Sequence, residues 1–277
     1  MSKIIVITGA TSGIGAALVE RFVARNDQVF AVGRSAERLE ALHASLGHVS
    51  NLKTFLADFS RLSEVDALAN ALLQAAPEGL DVLINNAAVV PSSKRFSHDG
   101  IELQLQVNHL AVVQLTHALL EALIQRQGMV ITTSSDAHKG GRFHVRDIQK
   151  NPRYGVFRTY AKTKLYNLMF SAYLKDAYGD KLHVYAVHPG VVKTDLGAKD
   201  SSAFMQKVWH FFTKKAAAPS SVPPTYEMLV DQKEPLEALY YAHQKPLNHL
   251  SVVTDKEKQT LLMEASLELL KMPKFGA

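Results

Sequence analysis

Short apolar runs alternate along this chain with stretches whose apolar positions recur every three or four residues. The runs are Ile4–Ile7, Gln28–Val32, Leu52–Leu56, Val82–Ile84, Met129–Thr133 and His183–Val187. Runs of this length, bounded by turn residues, read as strands covered on both faces. Between the first two, Leu18, Val19, Phe22 and Val23 share one helical face. Further helical patterns follow over Ala36–Leu46, Leu62–Ala75, Gly100–Arg126 and Thr159–Tyr178. The alternation predicts an α/β fold built on a doubly wound parallel sheet with helices on both faces.

After Pro189 the pattern becomes irregular. Ala203–Phe212 suggests a short aromatic helix, and Ala217–Pro224 reads as loop. Thr254-Asp255-Lys256-Glu257 has the form of a capping box opening a last helix through Leu270. No Pro/Gly/Ser-rich linker, repeat or low-complexity tract interrupts the chain. Residues 1–277 are therefore expected to form a single domain, with a substrate-cleft segment around 195–225 and a C-terminal extension over 226–277.

With 277 residues and 47% hydrophobic composition, the chain can bury a large core. The net charge of +5 is spread along the chain, as on a solvated surface, and also suits a phosphate-bearing ligand. The absence of cysteine excludes disulfides, thiolate chemistry and cysteine-based zinc sites. The twelve histidines follow no metal-ligand spacing, so no metal is expected. No basic–aromatic pattern suggests nucleic acid. The Lys3–Thr8 run is too short for a secretory signal, and no run is long enough for a transmembrane segment. A cytoplasmic location is the expectation.

Gly9, Gly13 and Gly15 fall between the first strand and first helix. Side-chain-free positions there let a dinucleotide pyrophosphate approach the backbone, and the helix N-terminus favours its charge. A tight turn without a ligand would need the same glycines. Tyr160 and Lys164 lie four residues apart, so a helix presents both on one face. An ammonium near a phenol favours the phenolate and is expected to lower the Tyr160 pKa from about 10. The second strand ends in Val32-Gly33-Arg34-Ser35. A carboxylate there would bind a ribose 2′-hydroxyl, whereas Arg34 accommodates a 2′-phosphate, which favours NADP (NADPH) over NAD. The bland alternative is a solvated Arg34 with Ser35 capping the next helix.

In order and spacing, Thr8-Gly9-x-x-x-Gly13-x-Gly15, Asn85-Asn86-Ala87, Ser134-Ser135 and Tyr160-x-x-x-Lys164 resemble the motifs of the short-chain dehydrogenase/reductase family. The resemblance is specific over residues 3–195. His188-Pro189-Gly190-Val191-Val192-Lys193-Thr194-Asp195-Leu196 most resembles its retinol-dehydrogenase-like branch. That branch includes the WW-domain oxidoreductases, whose WW domains are not expected within these 277 residues.

The resemblance implies a Rossmann-type domain with Asn108, Ser135, Tyr160 and Lys164 as catalytic residues. Ser134 competes with Ser135 for the role of orienting serine. Asn108 would anchor a water in a proton relay. For the coenzyme, the resemblance implies Gly9, Thr11, Ser12, Gly13, Ile14 and Gly15 in the glycine loop, and Arg34 at the second strand. It further implies Asp58 at the adenine, Asn85 and Ala87 beside the adenosine ribose, and Pro189, Gly190, Val192 and Thr194 around the nicotinamide, with Tyr160 and Lys164 contributing. Asp58 would serve equally as a helix cap. Ala88 replaces the usual glycine of Asn-Asn-Ala-Gly.

Ser201–Lys215, with Phe204, Met205, Trp209, Phe211 and Phe212, would form a lid for an apolar or bulky carbonyl compound. Core packing or shallow membrane contact through the same aromatics and Lys214-Lys215 are its alternatives. Lys139, Arg142, Arg146, Lys150, Arg153 and Arg158 would favour an anionic substrate unless merely solvated. The expected activity is hydride transfer between nicotinamide and an aldehyde, ketone or secondary alcohol, with a homodimer as one option for the assembly. The rivals are a catalytically idle NADP-binding regulator or scaffold, against which both Tyr160 and Lys164 argue, and a nucleotide-sugar epimerase or dehydratase, for which the C-terminal part is short.

Overall fold

The computed structural model describes residues 2–150, 154–192 and 217–275, the side chains of residues 149 and 150 aside. The first half runs β1 (Ile4–Thr8), α1 (Gly13–Ala24), β2 (Gln28–Gly33), α2 (Ala36–Ser45), β3 (Leu52–Leu56), α3 (Leu62–Ala75) and β4 (Val82–Asn85). A long helix, α4 (Leu103–Gln125), leads into β5 (Met129–Thr133). Then come α5 (Val145–Lys150), α6 (Val156–Tyr178) and β6 (His183–Val187). The described remainder holds α7 (Pro223–Val230), β7 (Tyr240–Ala242), β8 (Lys245–Pro246) and α8 (Lys256–Leu270).

One sheet takes all eight strands in the order β3-β2-β1-β4-β5-β6-β7-β8. Every pairing is parallel except the last, β7 with β8. Strand order reverses between β1 and β4, which opens a crevice at the carboxyl ends there. Strand alternation divides the core into two layers. Ile5, Ile7, Val29 and Ala31 pack with Leu18 and Phe22 of α1 and Tyr226 and Leu229 of α7. Val6, Phe30, Leu83 and Val130 face α3, α4 and α6 on the other side.

Three local differences from the sequence expectation have physical causes. The stretch read as loop ends in α7, because Pro223 and Pro224 occupy its first turn, where the missing N–H groups have no intrahelical partner. Asp255 rather than Thr254 caps α8, its Oδ1 accepting from Lys258 N at 3.1 Å, while Thr254 Oγ1 turns back to Ser251 O. Helix α4 starts at Leu103 instead of Gly100, since the Glu102 carboxylate takes the N–H groups of Gln104 and Leu105.

Helix α4 is long and apolar enough to cross a membrane, but 78% of its most apolar window is buried inside this fold. It is a core helix. Its outer side and that of α6 are covered by α8 and the residues after it. Ser266 of α8 lies 3.0 Å from His109 Nε2 on α4. The Phe275 ring packs 4.5 Å from His117 and 5.9 Å from Phe170.

Candidate active site

A cleft of about 1340 Å³ opens at the carboxyl ends of the central strands, lined by the glycine loop, the ends of β2, β3, β5 and β6, and the start of α6. Thr11, Ser12, Gly13 and Ile14 of the loop line it with Gly9. Gly9 has φ +67°, and a Cβ there would come within 2.9 Å of Ala87 Cα. Gly15 does not face the cleft. A Cβ on it would fall 2.1 Å from Gly9 O, so this glycine lets α1 close onto β1 and is a packing residue, correcting its expected ligand contact.

Asn85 is a second correction. As the last residue of β4 its side chain points into the core, where Nδ2 donates to Thr116 Oγ1 of α4 at 3.0 Å. The next residue, Asn86, takes the cleft-side place, with Nδ2 donating to Thr8 O at 2.9 Å. Ala87 lines the cleft as expected, and its N–H donates to Thr8 Oγ1 at 3.0 Å.

The two serines after β5 part company. Ser134 is buried and donates to Lys164 O at 2.9 Å. Ser135 lines the cleft together with Tyr160, and its hydroxyl accepts from Ala137 N at 3.2 Å. On α6, Lys164 Nζ donates to Thr133 O at 2.7 Å and lies 5.6 Å from the Tyr160 ring centre.

The expected lowering of the Tyr160 pKa is not what this geometry produces. Burial pushes the phenol up to about 12, with the nearby Ser135 hydroxyl pulling weakly the other way. Burial likewise pulls the Lys164 amine down to about 8. Desolvation penalises the charged form of each group, and the lysine spends its hydrogen bond on a carbonyl. Tyr160 is therefore a neutral phenol at pH 7.

Asn108 is fully buried and does not line the cleft. It sits in a π-turn, Gln106–Leu110, within α4. Its side chain clamps the strand extension after β4, accepting from Val89 N at 2.7 Å and donating to Val89 O at 3.0 Å. Its carbonyl accepts from Asn167 Nδ2 at 2.8 Å. The side chain of Asn108, the residue expected to anchor a relay water, holds the Val89 segment.

Arg34 is exposed at the cleft wall beside Ser35, Glu37 and Arg38. Ser35 caps α2, accepting from Arg38 N at 3.3 Å. Asp58 lines the cleft and turns the chain by accepting from Ser60 N at 2.9 Å. It does not cap α3, whose N-cap is Arg61. Pro189, Gly190 and Val192 line the opposite end. Thr194, the proposed lid Ser201–Lys215, Arg153 and the Lys150 side chain lie outside the described residues. Lys139, Arg142, Arg146 and Arg158 do not line the cleft, so they lend an anionic substrate no support. Lys139 instead pairs with Asp136 at 3.0 Å.

Residues 3–203 match the short chain dehydrogenase family. The chain belongs to the short-chain dehydrogenase/reductase family. Retinol dehydrogenase 11 of Homo sapiens is 30% identical, covering 98% of this chain and 86% of its own. Retinol dehydrogenase 12 of Homo sapiens is 32% identical, covering 87% and 77%. The crystal structure of an uncharacterized protein from Mycobacterium Paratuberculosis aligns with a TM-score of 0.74 at 27% identity, covering 99% of this chain and 95% of that one. These similarities set this dehydrogenase/reductase in the retinol-dehydrogenase-like branch, as an oxidoreductase acting on CH–OH or C=O groups.

The glycine loop fits the nicotinamide dinucleotide of such an enzyme: it offers bare backbone at a helix N-terminus and leaves no room for a Cβ on Gly9. Sequence reasoning missed Asn86, Thr133, Asp136, Arg38 and His188 as cleft residues. For Asn86 a signal was present. Strand alternation turns Asn85 inward with the β4 core and leaves its neighbour to the other side.

Proposed function

We propose that this enzyme reduces an apolar aldehyde or ketone with NADPH, or runs the reverse oxidation. The observation that carries the reading is convergence: the Tyr160 hydroxyl, Ser135 hydroxyl and Lys164 amine meet in the cleft that the glycine loop lines. Held by the glycine loop, a nicotinamide coenzyme would supply or take up the hydride at the substrate carbon. Tyr160, protonated at neutral pH, gives its proton to the carbonyl oxygen in reduction and takes one from the alcohol in oxidation. Ser135 hydrogen-bonds the same oxygen and steadies charge on it. The Lys164 ammonium, tethered to Thr133 O, offsets negative charge on the phenol oxygen as the proton leaves.

The preference for NADPH is supported by Arg34 and Arg38, two cations within the 34–38 stretch of the cleft wall against one carboxylate there, Glu37, and by the absence of an acid at the end of β2. An apolar substrate is supported by Val90, Pro91, Leu103, Val107, Phe157 and Val191 around the cleft and by the retinol dehydrogenases among the relatives. The test is a screen of aldehydes, ketones and alcohols with both coenzymes, followed by nicotinamide absorbance. Turnover confined to charged, polar carbonyls, or equal use of NADH, would remove those parts of the reading; no turnover at all would remove the whole.

A further inference from the structure

Tyr226 of α7 is fully buried, and its hydroxyl lies 2.7 Å from Thr133 Oγ1 at the end of β5. Thr133 Oγ1 in turn lies 3.4 Å from Asn86 Oδ1. Asn86 Nδ2 donates to Thr8 O at 2.9 Å and lies 3.5 Å from Gly9 O. Those two carbonyls fix the Asn86 amide with its nitrogen toward the glycine loop and its oxygen toward Thr133. An amide oxygen only accepts, so Thr133 is the donor to it. A threonine hydroxyl has one proton, which leaves Tyr226 as the donor to Thr133. The chain therefore has a direction, from Tyr226 through Thr133 and Asn86 to Thr8 and Gly9.

Asn86 also sits against the loop it holds. A Cβ on Gly15 would lie 2.8 Å from Asn86 Nδ2, and one on Gly9 3.2 Å. Rotation of this amide would press on the loop backbone. Tyr226 itself does not line the cleft, and burial keeps its phenol protonated well into the alkaline range.

We propose that Tyr226 is a positioning residue for the coenzyme-binding glycine loop, acting through Thr133 and Asn86. This rests on the reading that the loop holds a nicotinamide dinucleotide. The end of β5 then serves both halves of the site. The Thr133 hydroxyl steadies the coenzyme side, and its carbonyl anchors Lys164 on the proton-transfer side. Removing the Tyr226 hydroxyl touches the first and spares the second.

Tyr226→Phe keeps the ring in the core. NADPH and NADH binding are titrated by fluorescence, and amide hydrogen exchange is followed in the coenzyme-free protein. The expected result is a three- to tenfold rise in Kd for both coenzymes, roughly the worth of one hydrogen bond. Exchange should accelerate over residues 8–16, with kcat at saturating coenzyme within about twofold. Thr133→Val should reproduce the loss, Thr133→Ser should restore binding, and the Tyr226→Phe/Thr133→Val pair should be no worse than either alone. Unchanged Kd and loop exchange in Tyr226→Phe would overturn the proposal, as would acceleration spread evenly over the sheet. An unaltered protein that binds neither coenzyme would sink the reading of the loop and this proposal with it, whereas tight binding by both proteins sinks the proposal alone.

Discussion

Lys164 donates to the Thr133 carbonyl, 2.7 Å from its Nζ, and lies beside the Tyr160 ring without a hydrogen bond to the phenol oxygen. The lysine therefore acts on the tyrosine through charge at a distance, and the charge must be present. Its amine is held down to about 8 by burial. Carbonyl reduction should be steady below pH 8 and decline above it as the ammonium is lost. Lys164→Arg, whose cation survives to higher pH, should move that limb upward in a pH–rate profile. A limb that stays put would assign the titration to another group.

Tyr160→Phe should lower kcat by at least about 100-fold, the usual worth of a positioned acid/base. Coenzyme Kd should stay within about threefold. Single-turnover kinetics and a binding titration separate the two effects, and retained turnover would mean the proton comes from elsewhere.

Arg34→Ala should weaken NADPH binding about 10- to 100-fold, the range of a charge-assisted hydrogen-bonded pair, and leave NADH nearly untouched. Parallel titrations with both coenzymes measure the ratio. An unchanged ratio would show that Arg34 is only solvated.

The neighbouring asparagines should behave differently. Asn85→Ala strips Thr116 of a buried partner and should cost about 1 kcal/mol of stability with coenzyme Kd unchanged. Asn86→Ala should raise that Kd several-fold. Urea melts and coenzyme titrations on the two variants give opposite patterns if the inward and cleft-side placements hold.

His109, buried between Asn167 and Ser266, has its pKa pulled down to about 4 by burial. An unfolded histidine takes up its proton near 6.5, so between the two values the unfolded chain binds more protons. The stability contributed by keeping His109 neutral is fully present above pH 6.5 and is lost as the pH falls toward 4, to a total of about 3 kcal/mol. His109→Gln should flatten that part of the stability–pH curve measured by urea unfolding.

What the sequence determined by itself is what local periodicity and spacing can carry. Six runs mark β1 to β6: five are buried along almost their whole length, as strands covered on both faces are, whereas β3 at the sheet edge buries Leu52 and exposes Lys53, Thr54 and Leu56. Gly9 after β1, Gly13 and Gly15 in the first turn of α1, and the four-residue step from Tyr160 to Lys164 are visible because a tight turn and a helical face are defined within a few residues. Tertiary structure alone decided which of two adjacent residues faces the cleft, as with Ser135 over Ser134 and Asn86 over Asn85. It also reversed the direction of the Tyr160 pKa. That sign depends on how much water the surrounding strands and helices exclude, and on Thr133 being within reach of Lys164. No short window contains either quantity, since both are made by residues that meet only when the sheet is assembled. The link from Tyr226 to the glycine loop is of the same kind, running from α7 back to β1 through partners that periodicity does not relate.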